Sequence, residues 1–379
     1  MKQEHRRYQK FVWFMSVIFL AVPFLIMLFN FQVDPNRRYQ FRVADEDLKT
    51  LARSKDMVLV LPPNFDDRAL LKKFVPISTP PDIVVIGGSR IANVHPDFFK
   101  SPWNSKLLNL TVTEGTVRDY VALWELVESS GHKPKIVFIC VEEQSINSYS
   151  QNSKYLSLYE YYTSFFHEGT SLRQQFLGLT TNLKDLLSME TMIASIKTLL
   201  HPERNIGGGK LALNNSYDRS FIAKTHAFST VQRGNAENQD SQLIFSQAQA
   251  NGLGEMKVFE KWNPKDRMGY LHLEALIQRI KRMGGTPILV GTPYHPAAYE
   301  VIRQNLKAHE NMMIFVDALN HIAVREGIFF YDAIETHRSE FKHEDFYDGV
   351  HLRMKESHRL FRLIDKGTRL GIVADSVSS

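Results

Sequence analysis

The sequence predicts an α/β protein with a parallel sheet, set behind one membrane-spanning helix. Three observations carry this. Short apolar, β-branched runs alternate with helical stretches from Asp82 onward, which is the pattern of βα units feeding a parallel sheet. The residues from Phe11 to Phe31 form an uncharged apolar run long enough to cross a bilayer. The apolar and charged fractions, 44% and 23%, are those of ordinary folded protein and exclude wholesale disorder.

The first buried strand is expected at Asp82-Ile83-Val84-Val85-Ile86, ending in Gly87-Gly88. Leu107 to Leu110 is the second, followed by a helix from Thr116 to Ser130. Ile136 to Val141 is the third, bounded by Lys133-Pro134-Lys135; Pro287 to Gly291 is the fourth and Ile328 to Tyr331 the fifth. Helical patterns cover Pro264 to Met283, Ala297 to Arg325 with a break expected near Met312, and Lys355 to Asp365. Ligands of such sheets bind beyond the carboxyl ends of the strands.

The apolar run is preceded by Lys2, Arg6, Arg7 and Lys10, so residues 1–10 are expected in the cytoplasm and 11–31 in the membrane. Arg37 and Arg38 follow it and oppose that bias weakly. A cleaved signal is the competing reading, but the run exceeds a signal core and no Ala-x-Ala follows. Residues 32–81 read as a connecting region, with a short helix at Ala44 to Ser54 and a strand at Met57 to Leu61. The α/β domain is then 82–144 and 264–370.

Between them, 145–263 is too long for a crossover connection and reads as an insertion over or beside the active-site edge. It begins with Tyr149, Tyr155, Tyr159, Tyr161 and Tyr162, which can stack on sugars or pack on one another. Its middle, Leu172 to Leu200, looks helical; Asn205 to Gly254 is rich in Gly, Asn, Gln and Ser.

The net charge of +5 is small for this length, and no zinc-knuckle, RNA-binding or helix-turn-helix pattern is present, so nucleic-acid binding is not expected. The lone cysteine, Cys140, excludes an intramolecular disulfide and sits in an apolar strand as a small hydrophobe. No metal and no cofactor is called for.

Two patterns carry chemistry. Gly87-Gly88-Ser89-Arg90 places a serine at the end of the first strand, where its Oγ can reach the sheet edge; a helix-capping serine has the same look. Asp345-Phe346-Tyr347-Asp348-Gly349-Val350-His351 precedes the last helix. An aspartate three residues before a histidine can accept from Nδ1–H and leave Nε2 free to take a serine proton. A surface Asp–His pair, or a metal site using Asp345, Asp348 and His351, fits the same spacing.

Taken together, the two patterns resemble the SGNH (GDSL-like) hydrolase superfamily over 82–365, the insertion excepted. Gly-Gly-Ser-Arg stands where that family often has Gly-Asp-Ser. The resemblance implies a three-layer α/β/α flavodoxin-like fold, with Ser89 as nucleophile, His351 as base and Asp348 as orienter. It implies an oxyanion hole from the N–H groups of Ser89 and Gly115, the latter within Asn109 to Thr116. Its third block, Gly-x-Asn-Asp, is replaced here by Glu142-Glu143-Gln144-Ser145-Ile146-Asn147, where Asn147, Gln144 or a residue of the insertion can substitute. At the same edge, His295 in Thr292-Pro293-Tyr294-His295-Pro296 reads as a substrate contact or a structural histidine. Arg90 reads as an anion contact or the partner of a carboxylate.

In layout the chain is similar to envelope proteins that O-acetylate exopolysaccharide or peptidoglycan, or that handle D-alanyl transfer to teichoic acids. That similarity implies an esterase or O-acyltransferase held by one helix in the inner membrane, with its catalytic domain periplasmic or extracellular. The substrate would be an envelope glycan or acyl donor, and the partner a membrane-bound O-acyltransferase. A glycan-binding scaffold that keeps the fold without turnover is the alternative.

Overall fold

The computed structural model describes residues 2–34, 46, 48–50, 57–60, 67–147, 154–166, 183, 186–200, 210–213, 241–262, 267–335 and 341–375. Helix α1 (Lys2–Val33) opens the chain. From His5 to Val33 it is long and apolar enough to cross a membrane, with Pro23 inside it. Apart from residues 46 and 48–50, which are helical, the helix expected at Ala44 to Ser54 lies outside the described residues. Met57–Val60 is a strand, but it pairs antiparallel with Lys210–Leu213 and does not join the main sheet.

Five parallel strands form that sheet: β1 (Ile83–Gly87), β2 (Leu107–Thr111), β3 (Ile136–Val141), β4 (Thr286–Gly291) and β5 (Phe329–Asp332). Their order is β2-β1-β3-β4-β5. The chain therefore reverses its direction of travel at β1, and the carboxyl ends of β1 and β3 border the crevice where such sheets bind ligands. β1, β2 and β3 are buried at every residue, as a sheet covered on both faces requires.

Alternate strand residues feed two cores. Val84, Ile86, Leu108, Leu110, Val137, Ile139 and Leu289 face one, with α3 (Val117–Ser129), α8 (Met268–Arg282) and α10 (Leu306–Glu326). Ile83, Val85, Leu107, Phe138, Cys140, Ile288 and Val290 face the other, with α11 (Met354–Thr368). Here Phe361 packs edge-on against Phe138 at 5.0 Å, an arrangement that favours aromatic pairs beyond their buried area. Cys140 is fully buried and its thiol pKa is pushed up, by burial first and then by Glu142, which suits the packing role expected of it.

Three local signals end or start elements where the pattern alone was ambiguous. Thr116 and Asp119 close a capping box on α3. The long C-terminal helical pattern breaks at Asn305, not near Met312. Asn305 Oδ1 accepts from Ala308 N–H at 3.0 Å, so it caps α10 and separates it from α9 (Pro296–Gln304). Gly327 then ends α10 in the left-handed conformation at φ 63°.

Within 145–263, the structure describes only part of the expected insertion. The described part divides among three places: α5 (Tyr159–Phe165), α6 (Met189–Leu200) and α7 (Ser241–Lys261). α5 rests on the α3 face, where Ser164 bonds Glu125 and Tyr162 bonds His272. Tyr155, Tyr159 and Tyr162 pack on one another with centroids 5.6–6.5 Å apart, so they serve as packing. Tyr149 lies outside the described residues, as do residues 172–182, 184 and 185 of the expected middle helix. α6 meets α1, and α7 reaches the sheet edge, where its Glu255 pairs with Arg90. α7 takes in the end of the segment rich in Gly, Asn, Gln and Ser, and its Ile244, Ala248, Gly252 and Phe259 make a buried stripe at helical spacing.

Candidate active site

β1 ends at Gly87, and Ser89 begins the short turn Ser89–Ile91. Gly88 is extended at φ −85° and ψ −174°, so it is there for space rather than for a left-handed turn. A Cβ on it would fall 2.5 Å from Glu142 Oε1, the residue that follows β3. Ser89 is left partly exposed at the sheet edge, as the sequence pattern predicts.

The second half of the site comes from the loop before α11. Asp348 Oδ1 accepts from the N–H groups of Val350 and His351 at 2.8 and 2.7 Å, an Asx-type turn that folds the loop on itself. Phe346 and Leu352 close it with an antiparallel bridge. Within this turn His351 Nδ1–H donates to Asp348 Oδ2 at 2.8 Å, while Nε2 lies 3.1 Å from Ser89 Oγ. Tyr347 stacks on the imidazole at 5.6 Å and an interplanar angle of 11°. Asn93 Nδ2 donates to Leu352 O at 2.9 Å and ties the serine turn to the histidine loop.

Burial would raise the pKa of Asp348. The hydrogen bond and charge of His351, with two backbone N–H donors, outweigh it and hold the carboxyl below its ordinary value. An ionised Asp348 fixes the imidazole with its proton on Nδ1. Nε2 is then the acceptor that faces the serine hydroxyl.

Gly115 lies beside the same strand end. A Cβ there would come 2.9 Å from Gly87 O and 3.0 Å from the Tyr120 ring, so only glycine fits. Its neighbour Glu114 has a left-handed φ of 52°, strain of the kind that persists where surroundings fix the backbone. The clamp is Arg68 on α2 (Asp67–Phe74), inside the region read as a connector. Arg68 donates to Asp119 at 2.6 Å, Asp67 at 2.9 Å and Thr113 O at 3.1 Å, while Asp67 accepts from Thr113 N–H at 2.6 Å. No sequence spacing announces a contact between residues 51 positions apart. Asn147 caps the short helix α4 (Glu143–Ile146) beyond β3, with its N–H on Glu143 O at 3.1 Å.

Arg90 does not face a ligand; its reading as an anion contact is corrected in favour of carboxylate pairing. It is 5% exposed and donates to Glu255 of α7. Its Nε lies 3.6 Å from Glu142, and its guanidinium stacks over the Tyr294 ring at 4.1 Å. Tyr294 in turn donates to Glu143. Three carboxylates thus crowd one cation. Burial, against the pull of Arg90, raises the pKa of Glu143 and lifts that of Glu255 to about 8.

His295 is 1% exposed and caps α9, its Nδ1 accepting from Ala297 N–H at 3.1 Å. Its proton is therefore on Nε2, which has no hydrogen-bond partner among the described residues. Burial, then His343, lower its pKa to about 4 against the opposing pull of Asp348, so the ring is neutral near pH 7. The capping bond makes it structural, and the Nε2–H stays unspent near the site. α7 contributes Phe245, whose ring lies 5.5 Å from that of His343.

Asp345 is held elsewhere, accepting from Lys342 N–H and pairing with Arg359 at 2.5 Å. Among the described residues, no group of three or more His, Cys, Asp or Glu is placed to hold a metal ion. In comparisons with known proteins, no family model matches this chain and no curated protein matches it.

Proposed function

We propose that the protein is a serine-dependent esterase or O-acyltransferase of the SGNH type. The observation that carries this is the unbroken line from Asp348 Oδ2 through His351 to Ser89 Oγ, at 2.8 and 3.1 Å. Ser89 Oγ attacks an acyl carbonyl as its proton passes to His351 Nε2. The tetrahedral oxyanion is received by the N–H groups of Ser89 and Gly115, with Asn147 as a third donor. Collapse breaks the ester C–O bond, and the departing alkoxide takes the proton from Nε2. Water or a sugar hydroxyl then gives its proton to Nε2 and attacks the acyl-enzyme; the seryl ester C–O bond breaks, and Ser89 Oγ takes the proton back from Nε2. Asp348 stays ionised and stabilises the imidazolium at both steps.

The strand order β2-β1-β3-β4-β5, with helices packed on both cores, supports a flavodoxin-like arrangement of the kind that superfamily uses. By the positive-inside rule α1 holds the domain on the outer face of the cytoplasmic membrane. The substrate on this reading is an acylated envelope glycan or its acyl donor, supplied by a membrane-bound O-acyltransferase.

The test is covalent labelling of the full-length chain, in detergent micelles, by a fluorophosphonate, alongside turnover of p-nitrophenyl acetate. Both are expected in the wild type and absent from Ser89→Ala. Equal labelling of the two proteins would overturn the mechanism.

A further inference from the structure

Helix α6 is built the wrong way round for water. Its small and polar residues turn inward: Thr191 and Ser195 are buried, with Ser188 capping its start through Thr191 N–H at 3.0 Å. Its large apolar residues turn outward: Met189, Ile193, Ile196, Leu199 and Leu200 are all exposed, Leu200 at 69%. Leaving such side chains in water forgoes the free energy gained by burying them. Helices that pack on one another inside a bilayer show the reverse of the soluble pattern, with small residues at the contact and large apolar ones toward lipid.

The inward face meets α1. Asn30, fully buried, donates through Nδ2 to Leu186 O at 2.6 Å and accepts from Ser195 Oγ at 2.9 Å. At about 1.5 Å per residue, Asn30 lies roughly 28 Å along the helix from Phe11, so it marks the far edge of a ~30 Å hydrocarbon core. An amide at that depth needs partners from the protein, and α6 supplies them. With twelve residues, or about 18 Å, α6 is too short to span.

We propose that α6 is an interfacial helix, seated in the headgroup–acyl boundary of the leaflet next to the globular domain, with Met189, Ile193, Ile196, Leu199 and Leu200 in lipid. Lys197, exposed on the same helix, can carry its amine to the headgroups. Such a seat holds the domain close to the bilayer, where a lipid-linked acyl donor or a membrane partner would meet it. This rests on α1 crossing the membrane and is independent of the chemistry at Ser89.

The test uses full-length protein carrying Cys140→Ala, reconstituted in phosphatidylcholine vesicles, with an environment-sensitive thiol dye at one introduced cysteine. Ile193→Cys, Ile196→Cys and Leu200→Cys report on α6, Leu20→Cys on α1, and the exposed Leu306→Cys on the aqueous domain. Doxyl-labelled lipid is expected to quench the α6 and α1 dyes at least about twofold more than the Leu306→Cys dye, and iodide to do the opposite. If the Leu20→Cys dye is quenched by lipid while the α6 dyes follow the Leu306→Cys dye, α6 lies in water and the proposal fails. Protection of the α6 dyes from both quenchers would place them against protein, a second copy or a partner, and also overturns it. If the Leu20→Cys dye itself escapes lipid, the anchor reading falls together with this one. Fluorophosphonate labelling of Ser89 in the same vesicles reports separately on the catalytic reading.

Discussion

Two charged clusters flank the end of β1, and they are built on opposite terms. In the Ser89–His351–Asp348 array every reacting atom has a partner, and both Asp348 and His351 are partly exposed. In the cluster around Arg90, Arg90, Glu142 and Glu143 are buried and Glu255 is half-buried, and Arg90 Nε and Nη1, Glu142 Oε1 and Glu255 Oε2 have no hydrogen-bond partner among the described residues. One cluster is a line of hydrogen bonds, along which the proposed mechanism moves a proton. The other spends desolvation energy to hold α7 against the turn that carries Ser89, since Glu255 belongs to α7 and Arg90 directly follows the serine. On the proposed reading, the first must stay reachable to react, whereas the second is a buried ion cluster whose desolvation cost its Coulomb attraction has to offset.

The largest effect that separates the two is on turnover. Asp348→Asn should lower kcat by about 10⁴, because an amide no longer holds the imidazole in the tautomer that faces Ser89. Its unfolding temperature should change little. Measured kcat within tenfold of wild type would remove Asp348 from the mechanism.

Next in size is stability. Arg90→Met should cost about 3–5 kcal/mol in urea unfolding of the full-length chain, because it strands buried carboxylates without their cation. If the loss is within 0.5 kcal/mol, roughly that of a surface substitution, the cluster is not what holds α7 in place.

The smallest effect, read per pH unit, is a slope. Glu255 has a folded pKa of about 8, above its ordinary 4.5, so between these values the unfolded chain gives up a proton that the folded chain keeps. Stability should therefore fall as pH rises through that window, by at most about 1.4 kcal/mol per pH unit. Glu255→Gln keeps the acceptor for Arg90 and loses the titration. Unfolding measured at several pH values should show the wild type weakening relative to the variant toward alkaline pH. Parallel curves would mean that Glu255 is ionised throughout.

The same contrast marks how far the sequence could be read. The array was legible because each half is local: Ser89 follows a strand, and Asp348 and His351 share one turn. The five strands were legible because a doubly covered sheet needs unbroken apolar runs. The Arg90 cluster was not, since Arg90, Glu142, Glu143, Tyr294 and Glu255 come from four separated segments and only folding joins them. α7 was obscured by Asn251, Gly252 and Gly254, whose low helix propensity is overridden by packing on α9 and α10. Arg68 escaped notice for the reason that hides Glu255: a buried ion pair leaves no periodic trace.

By itself the sequence determined the α/β class, the apolar N-terminal helix, and the residue types that chemistry at this edge would use. Those follow from interactions short in sequence: hydrophobic periodicity, caps, and one Asx turn. The tertiary structure decided which charges are spent inside the protein, that Arg90 faces Glu255 and not a ligand, that His295 caps a helix, and that α6 turns its apolar side outward beside α1. Each depends on which distant segment fills the neighbouring space, and burial gives such contacts their energy only after the chain has brought them together.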